Sequence, residues 1–168
     1  MAAPIDSWTG TQIAAARSAL QQQAEQALGR FLFAYAQLES GLDLCLVWAD
    51  QGAQLEQRTR SIERLNFAGK LGLLRMHAGL LPSAAARRAY GDWIARADRV
   101  RVQRNVLVHG RLGVDVRRAS LCVAVSRATS FPVESVEFGM HELGQMVDEA
   151  SSLFRELSGL RTDHPLPA

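Results

Sequence analysis

The stretch Arg104-Asn105-Val106-Leu107-Val108-His109-Gly110 brings together three side chains that can do chemistry. An arginine holds a phosphate at any pH, because its guanidinium stays charged and presents a planar fork of donors. A histidine moves protons near neutrality. Asn105 can hydrogen-bond either a phosphate or the imidazole of His109. Side by side, these groups suggest phosphodiester chemistry that needs no metal ion.

Something must hold them in place. Val106-Leu107-Val108 is apolar enough to lie against a core, and Gly110 supplies a helix stop, so the motif is expected on the last turns of a long helix. On such a helix Asn105 and His109, four apart, lie within about 40° of each other. Arg104 and His109, five apart, diverge by about 140°. They cannot easily grip one atom from an unbroken helix. Either the helix loosens at His109, or a second copy of the chain completes the site.

The period along the chain predicts the elements around this motif. Residues 7–50 read as helix with a break near Gly29, on the stripe Leu28, Phe31, Leu32, Tyr35, Leu38, Leu42, Cys45 and Leu46, closed by Gly52. Residues 51–60 read as a polar connection. Ser61 opens a second helix that Gly79 and Pro82 close, and Ser83 caps a third through Tyr90, Trp93, Ile94, Ala97, Val100 and Arg104. That order sets Arg104 on or beside a buried stripe, where a guanidinium needs a partner or a ligand. Glu39, between Leu38 and Leu42, is the carboxylate expected to pair with it and orient it.

After Gly110 the period falls to two. Leu112, Val114 and Val116, then Leu121, Val123 and Val125, predict a small β-hairpin, with residues 133–138 as a third strand or a lead-in. A last helix follows over 141–157. The fold class is therefore mainly α, a helical bundle with a hairpin inserted before the last helix. A single domain over 1–158 is followed by a flexible tail over 159–168, which holds Pro165 and Pro167.

Composition narrows the function. The chain has 168 residues and a formal charge of only +2, but residues 87–127 hold ten arginines and three acids. Bulk preference for arginine over lysine, of which Lys70 is the only one, does not explain that clustering. A basic face around the motif suits a polyanion. Arg99, Arg101 and Arg111 are the residues expected to bind backbone phosphates beside Arg104. No run of apolar residues is long enough to span a membrane, and the first residues do not form a signal peptide. Cys45 and Cys122 stand apart in apolar surroundings and read as core thiols in a reducing cytoplasm. Glu39 and Asp43 share a helix face but lack the further ligands a metal needs. His77, His141 and His164 read as structural or surface residues, and Trp48, Tyr90 and Trp93 as core.

The pattern R-N-x-x-x-H-G, late on a long helix of a small helical protein, resembles the signature of the HEPN superfamily: an arginine, a polar residue that is often asparagine, and a histidine within a few positions. The matching layout extends over roughly residues 24–158. The resemblance implies a homodimer whose two motifs face each other across a cleft, and a metal-independent, cofactor-free endoribonuclease of the toxin or defence kind. Arg104, Asn105 and His109 would be catalytic, RNA the substrate, and an antitoxin or other protein a possible partner. Where some family toxins carry a tyrosine two residues after the histidine for modification by a partner enzyme, this chain has Arg111. The rival expectations are a non-catalytic HEPN module that binds nucleotide, nucleic acid or protein, and an unrelated helical interaction domain.

Overall fold

The computed structural model describes residues 7–49, 51, 53–125 and 134–167. In chain order the elements are α1 (Gly10–Val47), α2 (Leu55–Ile62), α3 (Phe67–Gly79), α4 (Ala84–His109), β1 (Arg111–Asp115), β2 (Ser120–Val125), β3 (Glu134–Gly139) and α5 (Met140–Asp163). The fold is mainly α with a small antiparallel sheet before the last helix, as the periods predict. Packing divides it into two compact units, one of residues 1–32 and 103–147, the other of 33–102 and 148–168. Each of α1, α4 and α5 contributes to both.

Local signals explain most helix starts. Thr9 and Gln12 form a reciprocal capping box at α1: Gln12 N–H donates to Thr9 Oγ1 at 3.3 Å and Thr9 N–H to Gln12 Oε1 at 2.8 Å. Ser83 caps α4 as expected, its Oγ accepting from Ala86 N–H at 3.3 Å. Three other expectations are corrected. α1 runs unbroken through Gly29, whose missing side chain faces open space. The connection over 51–60 is mostly α2, a short polar helix that buries only Ile62. Ser61 therefore does not open a helix; it lies inside α2, donating to Gln57 O, and Asn66 caps α3 instead by accepting from Gly69 N–H at 2.9 Å. The expected stop at Gly52 falls outside the described residues.

The unit that carries the motif packs the sheet with segments of three helices. Its core is Leu20, Ala24, Phe31, Leu107, Leu121, Val123, Phe138, Leu143 and Met146. The sheet order is β1-β2-β3, both pairs antiparallel, with Gly113 opposite Cys122 and Cys122 opposite Glu137. The predicted hairpin is thus β1–β2, and β3 adds the third strand, from Glu134. Alternation sends Leu112, Val114, Leu121, Val123, Val136 and Phe138 to one face. Arg111, Gly113, Asp115, Ser120, Cys122 and Glu137 go to the other.

The second unit is all helical, around Leu38, Leu42, Leu46, Leu74, Tyr90, Trp93, Ile94, Leu153 and Leu157. The buried polar ends of its aromatics are satisfied: Trp93 Nε1 donates to Leu153 O at 2.9 Å and Tyr90 Oη to His164 O at 3.0 Å. The segment read as a tail is corrected. α5 continues to Asp163, Leu166 is buried, and His77 Nδ1 lies 3.1 Å from Pro167 O. Gly159 is exposed and does not interrupt α5. Among the described residues no helix is long and apolar enough to cross a membrane.

Candidate nucleic-acid site

α4 stays helical through His109, and Gly110 N–H closes the last turn on Val106 O at 3.0 Å. Leu107 is the buried anchor of this turn, while Arg104 and Asn105 are half-buried and His109 is exposed. The helix does not loosen at His109. Arg104 and His109 therefore keep the divergence of about 140° that an unbroken helix imposes.

Gly110 ends α4 for a reason other than the expected one. Its backbone is not in the left-handed region; instead, a Cβ there would collide with Val123 Cγ1 and approach Val106 O to 2.8 Å. The turn into β1 is possible because the chain passes tightly over β2 at this residue. The sheet, not a left-handed cap, fixes where His109 ends up.

Within the motif, Arg104 Nη1 donates to Asn105 Oδ1 at 3.3 Å. Asn105 thus serves the guanidinium rather than the imidazole. His109 is exposed and makes no side-chain hydrogen bond among the described residues, so none of them orients its ring by hydrogen bonding.

Glu39 is corrected. Its carboxylate lies 3.0 Å from Lys70 Nζ, which also meets Asp43 at 2.8 Å, so the cation these α1 acids hold is the buried lysine. The cation that the Glu39–Asp43 face attracts is an ammonium.

The basic window is less free than its count suggests. Arg96 is clamped by Glu149 and Glu156, with closest approaches of 2.8 and 2.6 Å. Arg101 Nε donates to Asp98 at 2.7 Å, and Arg118 Nη1 to Glu137 at 2.8 Å. Of the three residues expected to bind phosphate, Arg99 and Arg111 are exposed, while Arg101 is half-buried in its pair. Arg111 opens β1, two residues after His109, and shares a unit with the motif. Arg99 and Arg101 lie on the part of α4 that belongs to the other unit.

Two features escaped the sequence. Asp115, Cys122 and Glu137 bring their ligand atoms within 4.8 Å of one another on the polar face of the sheet. Arg118 already balances the acids there. Ser120 Oγ also donates to Glu137 at 2.6 Å, and these bonds hold the Glu137 carboxyl below its usual range. Asp115 Oδ1 accepts Arg117 N–H at 2.8 Å, which fixes the β1–β2 turn. The juxtaposition needs the register of all three strands, and alternation alone gave no sign of it. The second feature is a groove of about 200 Å³ between α1 and the β1 edge of the sheet, lined by Ala24, Leu28, Leu112, Val114 and Leu121 with Gln21 and Glu25 at its rim.

Comparison of the chain with protein-family models, with curated proteins and with solved structures gives no match.

Proposed function

We propose that this chain is a metal-independent endoribonuclease of HEPN type, acting on RNA in the cytoplasm through a cleft completed by a second copy. One observation carries the reading. A half-buried guanidinium aligned by a neighbouring amide sits on the same helix end as an exposed, unengaged imidazole. Arg104 would bind the scissile phosphate and stabilise the charge that develops on it. His109 would take the ribose 2′-OH proton or protonate the leaving 5′-oxygen. The O2′–P bond forms, the P–O5′ bond breaks, and a 2′,3′-cyclic phosphate and a 5′-hydroxyl remain. DNA lacks the internal nucleophile and would not be cut. Because Arg104 and His109 diverge along α4, the guanidinium of one copy and the imidazole of the other are the groups expected to share a phosphate.

Incubating the purified chain with structured and unstructured RNA in EDTA tests this. Cleavage to cyclic-phosphate ends is expected, lost in both Arg104→Ala and His109→Ala; a lost general acid or base alone costs about 10²–10⁴-fold. Since His109 is exposed, its alanine variant should keep the native stability, which separates chemistry from folding. Intact RNA under all conditions, or cleavage only with added metal, overturns the proposal.

A second reading has its own support, because among the described residues no third group hydrogen-bonds His109 to orient it, as activated bases usually require. In that case the motif belongs to a non-catalytic module that binds nucleotide, nucleic acid or a protein. Binding would then persist without turnover, and Arg104→Ala would act through stability.

A further inference from the structure

Among the described residues β1 is an edge strand, with one row of backbone donors and acceptors unpaired. It has no proline or bulge to block pairing, and all five of its residues are exposed or half-buried. Its side chains are also self-complementary. Arg111 and Asp115 stand symmetrically about Gly113 on one face; Leu112 and Val114 stand symmetrically about it on the other. From these features we infer that β1 is the docking edge for β1 of a second copy, antiparallel and centred on Gly113.

Centring on Gly113 is the only register that pairs all five residues of each strand. It sets Arg111 of one copy against Asp115 of the other, twice, and Leu112 against Val114, twice. Opposite residues of an antiparallel pair share a face, so charges meet charges and apolar groups meet apolar groups. Centring on Val114 instead opposes Arg111 to the other copy's Arg117. Centring on Leu112 leaves Arg111 facing a glycine. The apolar side of the pair also closes the groove beside β1. Leu112, 49 % exposed in the single chain, would lie over the other copy's Val114 at the mouth of that groove. The Asp115 side chain is 34 % exposed; one oxygen caps the turn and the other lies 3.8 Å from Arg118 Nε, so the other copy's Arg111 would share this carboxylate with Arg118.

The pairing stands without any assumption about catalysis.

The test uses a symmetric cross-link. Across an antiparallel pair the two Gly113 Cα atoms would be about 4.5–5.5 Å apart, within the span of a disulfide. A Cβ at Gly113 meets open space, so Gly113→Cys should fold. Cys122, the cross-strand neighbour of Gly113, would capture the new thiol and is replaced by Ala. On mild oxidation Gly113→Cys/Cys122→Ala should yield a disulfide-linked dimer, while Gln37→Cys in the same background should not. In the otherwise unaltered chain, Leu112→Lys should weaken self-association in sedimentation equilibrium by about ten-fold or more, because it sets a charge against an apolar edge.

A folded Gly113→Cys/Cys122→Ala chain that does not cross-link, or no more than the Gln37→Cys control, overturns the pairing. So does a dimer insensitive to Leu112→Lys, which holds even if the cysteine variant fails to fold. Cross-linking without RNA cleavage leaves the pairing standing and sinks the ribonuclease reading.

Discussion

Replacing Gly110 by alanine tests how the end of α4 is held. The added methyl would overlap Val123 Cγ1 and approach Val106 O at 2.8 Å. Val123 is fully buried, so neither its side chain nor the α4 backbone can yield without moving the sheet or the last helical turn. Overpacking of this kind costs about 1–3 kcal/mol, and two simultaneous collisions argue for the upper end. In a chain of this size that corresponds to a melting temperature lowered by roughly 4–10 °C. Val123→Ala alone removes two buried methylene equivalents, about 1.6 kcal/mol, before any cavity cost. In the double variant the methyl added at position 110 takes the space that Cγ1 vacates. The two changes should therefore couple favourably, by at least about 1 kcal/mol relative to their sum. Urea unfolding followed by helical circular dichroism, on both single variants and the double, gives that coupling directly. Additive losses, or a Gly110→Ala chain of native stability, would refute the claim that close approach to β2 is what requires glycine here.

Three further outcomes follow from the ion pairs and thiols. Lys70→Met should cost about 1–3 kcal/mol in denaturant unfolding: a broken buried pair costs about 3–5 kcal/mol, discounted because the Glu39 and Asp43 side chains are 36 % and 35 % exposed. Adding Glu39→Gln should recover part of that loss, and no recovery would show that the two acids do not repel. Arg96, with help from Ser152, holds the Glu156 carboxyl below its ordinary value of 4.5; a depressed carboxyl stabilises at neutral pH and loses that contribution as pH falls below 4.5 through the folded value, so Arg96→Met should flatten the acid limb of the stability curve, and an unchanged limb would contradict it. Burial pushes the Cys45 thiol up to about 12, so a thiol-reactive disulfide under mildly alkaline conditions should label Cys122 first and Cys45 only on unfolding, whereas two equally fast thiols would refute its burial.

What the sequence disclosed was local or periodic. The α1 stripe apart from Leu32, which is exposed, the Ser83 cap, the α4 stripe and the alternation of β1 and β2 each need only a few neighbouring residues, and each is found where the spacing puts it. α2 was missed because a polar helix that buries one isoleucine has no stripe to read. The partners of the charged residues were the least legible. Arg96 is matched by Glu149 and Glu156 from α5, and Glu39 by a lysine 31 residues further on. Charge counted along the chain cannot anticipate such neutralisation, so the basic window overstated the free cations. Gly110 was assigned to the right place for the wrong reason: its neighbour Val123 is thirteen residues away in sequence and opposite only through the fold.

The pairing of Lys70 has a practical corollary. It is the only lysine of the chain, and its side chain is 7 % exposed. Reagents or enzymes that modify ε-amines have essentially no lysine to reach while the fold is intact. A lysine-specific endoprotease has a single internal bond to cut, one that must first leave the grip of two carboxylates. When opening is fast relative to cleavage, the digestion rate reports the population of opened molecules. The chain thus carries an internal gauge of its own unfolding around α3, readable as two fragments on a gel.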